Sequence, residues 1–496
     1  MPYQDIREYL AVLENRGLLQ RVTHPVDPSW EPACLARWLY QGLPEQRRFG
    51  LLFESVTGYE MPLMVGVLGA STAMYATALD TTPDGIGERW VGAVRHPQPP
   101  ATVTSAPCQE VVRTGDDADI GFLPIPVWTP GKDAAPYITS VTITRDADSG
   151  HQNTAIYRTM VLDQRHVAVN LNPGRHGFRC ASSYWRQGKP APIAWVLGAE
   201  PVVPLAAVAN VPYGVDEMTI AGGLKGDPIE VVRAKSVDLM VPARAEIIIE
   251  AELWPGDTAD EGPFGEFAGY MGPVAAKPVA TITAITHRRN PIYHGIISQM
   301  PPSESTTIQS LGNAGLLLKT LRYDLGHESV TDIYIDLTFG GLLAHGIIAM
   351  RPMYPGHAKQ VGRLVADLTF LKRVTVVDAD VDIRDPIHVD WALNSRYNPA
   401  RDTIIIKDVF TPVNMDPAIN DPTLPIAGSK IIIDATETPG VPAFSLPDRD
   451  FMLRSLQSWN NAGLPPFEIP KRMRLMLSLN KDEINMAADS AQWASQ

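Results

Sequence analysis

Hydrophobic residues recur at helical spacing at the start of the chain. Ile6, Leu10 and Leu13 would share one face of a helix, and Gly17 follows them. This pattern predicts an opening amphipathic helix that ends near the glycine.

The middle of the chain, from about residue 106 to about residue 300, has a different pattern. Runs rich in β-branched residues alternate there with segments that contain Gly and Pro, and the predicted strands are 139–144, 167–171, 246–253 and 279–286. Short strands separated by turns are typical of a barrel or a sandwich.

Strand and helix patterns alternate beyond residue 305. Ile333, Ile335 and Leu337 alternate with polar residues as in a strand. One helix face is predicted from Val361, Leu364, Val365, Leu368 and Leu371, and further strands are predicted over residues 373–377 and 403–406. This order of elements indicates an α/β region.

A tail helix is predicted near residues 448–460, because Met452, Leu456 and Trp459 lie on one helical face. End helices of this kind are most often packing or dimerisation arms. With 496 residues the chain is too long for one ordinary core. The changes of pattern predict three domains, over residues 1–105, 106–305 and 306–496.

Charge and cysteine usage narrow the function classes. Lys and Arg number 42 against 55 Asp and Glu, a net charge of −13, which argues against nucleic acid as the main ligand. There is no apolar run of about 18 residues, so no membrane span is expected, and the start of the chain does not have the pattern of a signal peptide. Cys34, Cys108 and Cys180 are odd in number and form no CxxC pair, which favours a reduced, cytoplasmic protein.

Two glutamates flank a turn in the segment Glu261-Gly-Pro-Phe-Gly-Glu266. Its two glycines and proline exclude a regular helix. Two carboxylates in such a turn could act as a proton donor and its electrostatic partner, with pKa values separated by their environments. The alternative is a solvated acidic loop, since Glu252, Asp257 and Asp260 are close in sequence.

Arg158 ends the largely apolar segment Gln152-Asn153-Thr154-Ala155-Ile156-Tyr157-Arg158. A guanidinium in such a segment needs an anion, and its planar group suits a carboxylate or a phosphate. A structural salt bridge is an equally good interpretation.

Asn153, His176 and Glu217 have side chains that would suit Mn2+ or Mg2+. His176 lies in the tight turn Asn172-Pro-Gly-Arg175-His176-Gly, and Glu217 is predicted to enter a Gly-rich strand. Their spacing is not a local ligand signature, and a lone histidine is more often structural.

Two familiar motifs are excluded. Asp378, Asp380 and Asp382 have the start of a calcium loop, but Ile383 and Val389 occupy the positions that need Gly and Glu. The sequence also lacks a P-loop and a strand–GxGxxG–helix unit, so an ordinary nucleotide-binding fold finds no support.

These segments, in this order, resemble the UbiD family over residues from about 3 to about 460. The resemblance is carried by Ala106-Pro-Cys-Gln109, Asp133-Ala-Ala-Pro136, Asn153-x-x-Ile-Tyr-Arg158, Arg175-His176, Glu217-x-x-x-Ala-Gly, Glu261-Gly-Pro-Phe-Gly-Glu266, Tyr354-Pro-Gly-His-Ala-Lys359, Trp391-Ala392 and Gly428-Ser-Lys430. The pairing of the Glu261 motif with the Arg158 motif is the most specific part.

The resemblance implies an α+β fold with three domains. These would be an N-terminal α/β domain, a central split β-barrel of the flavin-reductase type, and a C-terminal α/β oligomerisation domain with the tail helix. The central domain would bind prenylated FMN, whose phosphate is held through Mn2+ with K+ nearby. A flavin prenyltransferase would supply the cofactor, and a homodimer or higher homo-oligomer is expected.

The resemblance also implies residue roles. Asn153, His176 and Glu217 would ligate the metal. The cofactor would be lined by Ile156, Tyr157, Arg158, Arg175 and Lys430, with Lys430 reaching the phosphate.

The expected activity is non-oxidative, and in principle reversible, decarboxylation of an aromatic, heteroaromatic or α,β-unsaturated acid. It would proceed through a covalent adduct between the substrate and prenylated FMN. Arg158 would place the substrate carboxylate, Glu261 would fix Arg158, and Glu266 would deliver the proton as general acid. Two carboxylates so near each other in a dry site predict a raised pKa for the acid.

Three alternatives to this activity remain at this stage. The substrate could be 4-hydroxy-3-polyprenylbenzoate of ubiquinone synthesis, or the chain could be a catalytically silent subunit of a carboxylase complex. A metallohydrolase is the third, but it would need a His-rich open site. Met300 stands where some relatives carry Arg, which weakens the polyprenyl substrate, and His345 either lines the pocket or is a structural strand histidine.

Overall fold

The computed structural model of the chain describes residues 3–337, 345–410, 427–438, 440, 442–480 and 484. It contains two compact units. The first is built on the chain up to Lys319, and the second on Thr320–Tyr334, His345–Phe410 and the described residues from 427 onward. Helices and sheets occur in both units, so the predicted α+β class is confirmed.

The opening helix is Ile6–Asn15, as predicted. The Asp5 carboxylate caps it by accepting hydrogen bonds from the backbone N–H groups of Arg7 and Glu8, which have no partner inside the helix. Ile6, Leu10 and Leu13 are buried on one face. The chain leaves the helix through Gly17, whose φ of 69° favours glycine.

The first unit contains further α-helices. They are Glu31–Gly42, Thr72–Ala78, Ile86–Arg95, His176–Trp185, Val202–Ala207, Glu217–Lys225 and Glu304–Lys319.

A nine-stranded antiparallel sheet forms the centre of the first unit. Along its path the strands are Tyr137–Ile138, Thr159–Val161, His166–Val169, Ala275–His287, Ile247–Glu261, Ala191–Leu197, Val141–Arg145 and Gln152–Ile156, and Val111–Thr114 pairs off this path with Ala275–His287. The four strands predicted between residues 106 and 300 fall in this sheet. Val167, Ile249 and Ile285 are fully buried in it.

Three smaller sheets complete the first unit. Their strands are Leu19–Val22, Gly50–Phe53, Leu63–Val65 and Tyr293–Gly295 in one, Met240–Pro242, Glu230–Arg233 and Ala101–Thr102 in another, and Phe264–Gly265 with Met271–Gly272 in the third.

The Gly-rich segment after Glu217 is a helix, Glu217–Lys225, so the predicted strand was wrong. The reason is packing, because a Cβ on Gly222 would lie 2.4 Å from the Gln98 carbonyl oxygen and one on Gly223 would lie 2.5 Å from that of Ala93. The two glycines therefore let this helix approach neighbouring backbone closely. Glycine lowers helix propensity but does not exclude a helix that tertiary contacts require.

The second unit has a five-stranded sheet with helices, as predicted for an α/β region. The strand order is Val330–Ile335, His345–Met350, Arg373–Asp378, Ala427–Ala435 and Thr403–Phe410. A π-helical turn covers Thr320–Asp324, and the α-helices are His357–Leu368, Pro386–Ser395, Pro399–Asp402, Arg449–Asn461 and Lys471–Met476. Leu371 lies beyond the end of the helix on which it was predicted.

Within the described ranges, the helices are all too short or too polar to cross a lipid bilayer.

Candidate active site

Arg158 holds two glutamates together in the first unit. Its Nε donates to Glu261 Oε1 over 2.8 Å and its Nη2 donates to Glu261 Oε2 over 2.9 Å, which is a bidentate pair. Its Nη1 donates to Glu266 Oε1. The exposed fractions of the three side chains are 10% for Arg158, 0% for Glu261 and 15% for Glu266, so the cluster is largely shielded from water.

The segment that carries the two glutamates is shaped by its glycines and by Asp133. Glu261 is the last residue of a long strand, and Gly262 follows with a φ of 102°. The Asp133 carboxylate accepts from the Gly265 backbone N–H over 3.0 Å, which fixes the chain just before Glu266. The segment is therefore an ordered turn between the long strand and the short strand Phe264–Gly265, and the alternative of a solvated acidic loop is excluded for the fully buried Glu261.

Gly272 gives Glu266 the room to reach Arg158. A Cβ at this position would lie 2.8 Å from Glu266 Oε1 and 3.2 Å from Arg158 Nη1. The absence of a side chain there is thus a condition for the contact between the two residues.

The pKa of Glu266 is raised, first because burial disfavours the carboxylate and further because Glu261 is close. Arg158 opposes this shift by lowering the same pKa. Glu261 and Glu266 thus differ in environment, since Glu261 is bound bidentately and Glu266 has one ionic contact to Arg158. Such a difference in environment separates the pKa values of two carboxyl groups, so that one can act as an acid and the other as its charged partner.

Asn153 lies on the strand Gln152–Ile156, and Glu217 bonds the backbone of the same strand. Both are buried, and Glu217 Oε2 accepts a hydrogen bond of 2.8 Å from the backbone N–H of Thr154, the residue after Asn153. Burial raises the pKa of Glu217 to about 7. A bound cation would offset the cost of keeping this carboxylate ionised.

His176 begins the helix His176–Trp185 beside the same strand. The Tyr157 hydroxyl accepts a hydrogen bond of 2.9 Å from the Gly177 backbone N–H, and Tyr157 also bonds the Asn153 side chain. Burial, with nearby basic groups, lowers the pKa of His176, which favours the neutral imidazole that can ligate a metal. The strand Gln152–Ile156 therefore has all three predicted ligands around it.

The donor set fits a divalent cation that holds a phosphate. It offers an amide, an imidazole and a buried carboxylate. The helix that begins at His176 has Arg175 at its N-cap, and the Arg175 side chain makes no capping hydrogen bond. That helix end also favours an anion. No group of three His, Cys, Asp or Glu side chains suited to a metal occurs in the described ranges, and this set contains only two residues of those types.

The other predicted cofactor residues are divided between the two units. Ile156 ends the strand and pairs with Val141, and Arg175 is half-buried in the turn before His176. Lys430 belongs to the second unit, where its amino group donates to the carbonyl oxygens of Ala366 and Thr369 near the end of a helix. The roles of these residues stay predictions.

Several residues around the cluster were not found from the sequence. The Phe264 ring centroid lies 5.1 Å from the Arg158 guanidinium carbon, and the Tyr137 ring centroid lies 4.3 Å from that of Phe264. Lys277 interacts electrostatically with Glu261, Arg158 and Glu266. Only Phe264 could have been suspected, since it lies inside the Glu261 motif.

In the second unit, the acidic run that starts like a calcium loop is a set of ion pairs. Arg396 is 3.0 Å from Asp378, 2.7 Å from Asp380 and 2.9 Å from Glu437, which supports the rejection of a calcium site. His345 Nε2 lies 2.7 Å from Thr375 Oγ1 and His345 Nδ1 lies 2.9 Å from Arg373 Nη2, contacts that favour the interpretation of a structural strand histidine.

Three family models match consecutive parts of the chain. Each is described as a domain of 3-octaprenyl-4-hydroxybenzoate carboxy-lyase (UbiD): the N-terminal domain over residues 10–94, the Rift-related domain over 101–301 and the C-terminal domain over 306–435.

Solved structures of several enzymes are similar to about nine tenths of the chain. The UbiD-class enzyme HmfF from Pelotomaculum thermopropionicum, in an evolved dimeric form in complex with prFMN, is 34% identical, has a TM-score of 0.79, and the match covers 90% of this chain and 98% of that chain. The vanillic acid decarboxylase of Sedimentibacter hydroxybenzoicus is 28% identical in its closed form, with a TM-score of 0.80 and coverage of 92% and 99%. The 3,4-dihydroxybenzoic acid decarboxylase of Enterobacter cloacae is 27% identical, with a TM-score of 0.79 and coverage of 92% and 100%.

Proposed function

We propose that this chain, which belongs to the UbiD family of prenylated-FMN-dependent carboxy-lyases, removes CO2 from an aromatic, heteroaromatic or α,β-unsaturated carboxylic acid. The observation that carries the proposal is the buried cluster of Arg158, Glu261 and Glu266. It combines a fixed guanidinium with a carboxyl group whose pKa is raised.

Arg158 would bind the substrate carboxylate. A guanidinium has five N–H donors, and the two glutamates use three of them, so two remain for a substrate oxygen. Glu261 would hold the plane of the guanidinium, because its bidentate pair fixes both position and orientation. The substrate carboxylate would thereby be placed for bond cleavage.

Glu266 would provide the proton. When bound, prenylated FMN supplies the electron sink for the carbon–carbon bond that breaks. The carbon that loses CO2 needs one proton, and Glu266 would transfer it while its own oxygen keeps the electron pair of the O–H bond. Shielding of the cluster from water limits other proton sources.

Asn153, His176 and Glu217 would hold Mn2+, and through it the phosphate of the cofactor. Tyr157, Ile156 and Arg175 adjoin these residues and would line the cofactor. The assignment of Lys430 to the phosphate, the K+ site and the homodimer stay predictions from the resemblance. The cytoplasmic location stays a prediction from the cysteine usage.

Loading with the cofactor is the test of this proposal. Protein made without a flavin prenyltransferase should be inactive, whereas co-expression should give a flavin-like absorbance, the mass of prenylated FMN, and CO2 release from at least one acid of a screened panel. The matched control is Arg158→Gln protein made with the prenyltransferase. Equal activity in protein that contains no flavin would contradict the proposal.

We expect the substrate to be a compact planar monocarboxylic acid of the indole, pyrrole, phenazine or benzoate type. Met300 has no charged group with which to bind a second carboxylate, and the residue is 55% exposed, with its sulfur next to Gly269. The measurement is kcat/KM for pairs of acids that differ only in a second carboxylate or in a prenyl chain. Turnover of dicarboxylates or long prenylated acids alone would exclude this preference.

A further inference from the structure

Lys277 lies on the strand next to Glu261. In the register of the two antiparallel strands, Glu261 is opposite Ala275, and Lys277 is opposite Ala259. Directly opposed residues point to the same face of a sheet, and so do residues two apart in one strand. Glu261 and Lys277 are therefore diagonal neighbours on one face, and the two alanines between them leave room for the lysine chain.

Asn172 anchors the ammonium group of Lys277. Lys277 Nζ donates to Asn172 Oδ1, and the Asn172 carbonyl oxygen accepts a hydrogen bond of 3.1 Å from the Arg175 backbone N–H. The lysine is thus tied to the turn that leads into His176. Held in this way, it is close enough to Glu261, Arg158 and Glu266 to interact electrostatically with all three.

Lys277 completes the charge balance of the cluster. Before proton transfer, Arg158 carries one positive charge, Glu261 carries one negative charge, and Glu266 is neutral. After Glu266 has given its proton to carbon, two carboxylates face one guanidinium. A second cation stabilises that state more than the state before transfer, which is the condition for speeding the step.

We propose that Lys277 is a positioning residue that stabilises the ionised form of Glu266 and so makes it a stronger acid. This inference rests on the proposed function of Glu266 as the proton donor. Lys277 would then be a fourth residue of the site beside Arg158, Glu261 and Glu266. The role of Asn172 would be to hold the Lys277 ammonium group in place.

The pKa of Glu266 depends on every charged or titratable group near it, so these groups must be named before a substitution is interpreted. The charged groups that face it are Arg158, Glu261 and Lys277. Further titratable groups around the cluster are Asp133, which accepts a hydrogen bond from the Gly265 backbone, and Tyr137, which packs on Phe264 and interacts electrostatically with Glu261 and Arg158. Asp257 and Lys277 both line one pocket. Lys277→Gln removes one cation and leaves all the others in place.

The test is a pH titration of the Glu266 carboxyl in the purified full chain by difference infrared spectroscopy, with Glu266→Gln to assign the band. Loss of a cation near a carboxylate raises its pKa, so Lys277→Gln should move the midpoint upward by about one pH unit. Lys277→Arg should keep the wild-type midpoint. Lys189→Gln, which removes an exposed lysine elsewhere, is the matched control and should change nothing.

Kinetics of cofactor-loaded protein provide the second readout. The alkaline limb of the kcat profile should move to higher pH in Lys277→Gln, and the kcat plateau should fall because a weaker acid gives up its proton more slowly. Flavin and metal content should be unchanged. An unmoved infrared midpoint in Lys277→Gln would overturn the proposal. If wild-type protein releases no CO2 from any acid, the proposed function fails, and the infrared midpoint still decides the role of Lys277.

Discussion

Replacing Glu266 with Gln is expected to lower kcat about 10²–10⁴-fold while flavin, metal and substrate binding persist. Gln keeps the shape of the side chain and can still bond Arg158 Nη1 through its amide oxygen, but its amide N–H is too weak an acid to protonate carbon. The loss therefore falls on the protonation step. In free-energy terms it raises the barrier by about 3–5 kcal/mol.

The decisive measurement is solvent deuterium at the former carboxyl carbon, read by mass spectrometry in single turnovers. Substrate should disappear in Glu266→Gln faster than deuterated product forms, because protonation is the blocked step. Near-normal deuteration and turnover in this variant would show that another residue is the acid.

Glu261→Gln is the matched comparison, since it changes the other carboxylate of the cluster. It removes the charge that orients Arg158 but not the proton donor, and a misplaced carboxylate-binding group costs about 10²-fold in rate. CO2 release and deuterium incorporation should therefore slow together. Equal accumulation of unprotonated species in both variants would argue against separate roles for the two glutamates.

The pH dependence of kcat follows from the raised pKa of Glu266. The acid works in its protonated form, so activity should be present below that pKa and fall as the pH rises through it. An ordinary glutamate would lose its proton near pH 4.3. The alkaline limb should therefore lie at a higher pH than an unperturbed glutamate allows, and it should be absent from the residual activity of Glu266→Gln.

The sheet and the catalytic cluster differ in how far the sequence predicts them. The central strands were found because β-branched residues such as Ile249 and Ile285 are buried along them. The cluster of Arg158, Glu261 and Glu266 was proposed from a motif resemblance, since 103 residues separate Arg158 from Glu261 and spacing alone gives no reason for contact. The chemistry of Arg158 suggested that it binds an anion, but only the structure shows that Glu261 pairs with it bidentately.

Lys277 and Gly223 show why the remaining features escaped prediction. Lys277 reaches the cluster through the register of two strands and through its bond to Asn172, neither of which has a local signature. Gly223 was predicted to lie in a Gly-rich strand, whereas its lack of a side chain allows a close backbone contact with Ala93 inside a helix. Both features depend on neighbours that are distant in sequence.

Replacing His176 with Ala or Glu217 with Gln is expected to give protein that loses its metal and, with it, most of its cofactor. Outer-sphere changes already weaken metal sites about 10- to 100-fold, so loss of a ligand should reduce Mn2+ affinity by at least about 100-fold. Glu217→Gln is the sharper variant, because its amide oxygen can still accept the Thr154 N–H bond while the charge that attracts the cation is gone. The fold around the strand Gln152–Ile156 should therefore persist.

Metal content by elemental analysis and flavin content by absorbance after gel filtration measure this effect. His166→Ala removes an exposed imidazole in the same sheet and should retain both at wild-type levels. Excess Mn2+ should restore flavin binding in part, since mass action offsets a weakened site. Full occupancy of Mn2+ and flavin in both His176→Ala and Glu217→Gln would exclude this ligand set. The phosphate would then have to be held by the N-terminus of the helix His176–Trp185 and by basic side chains alone.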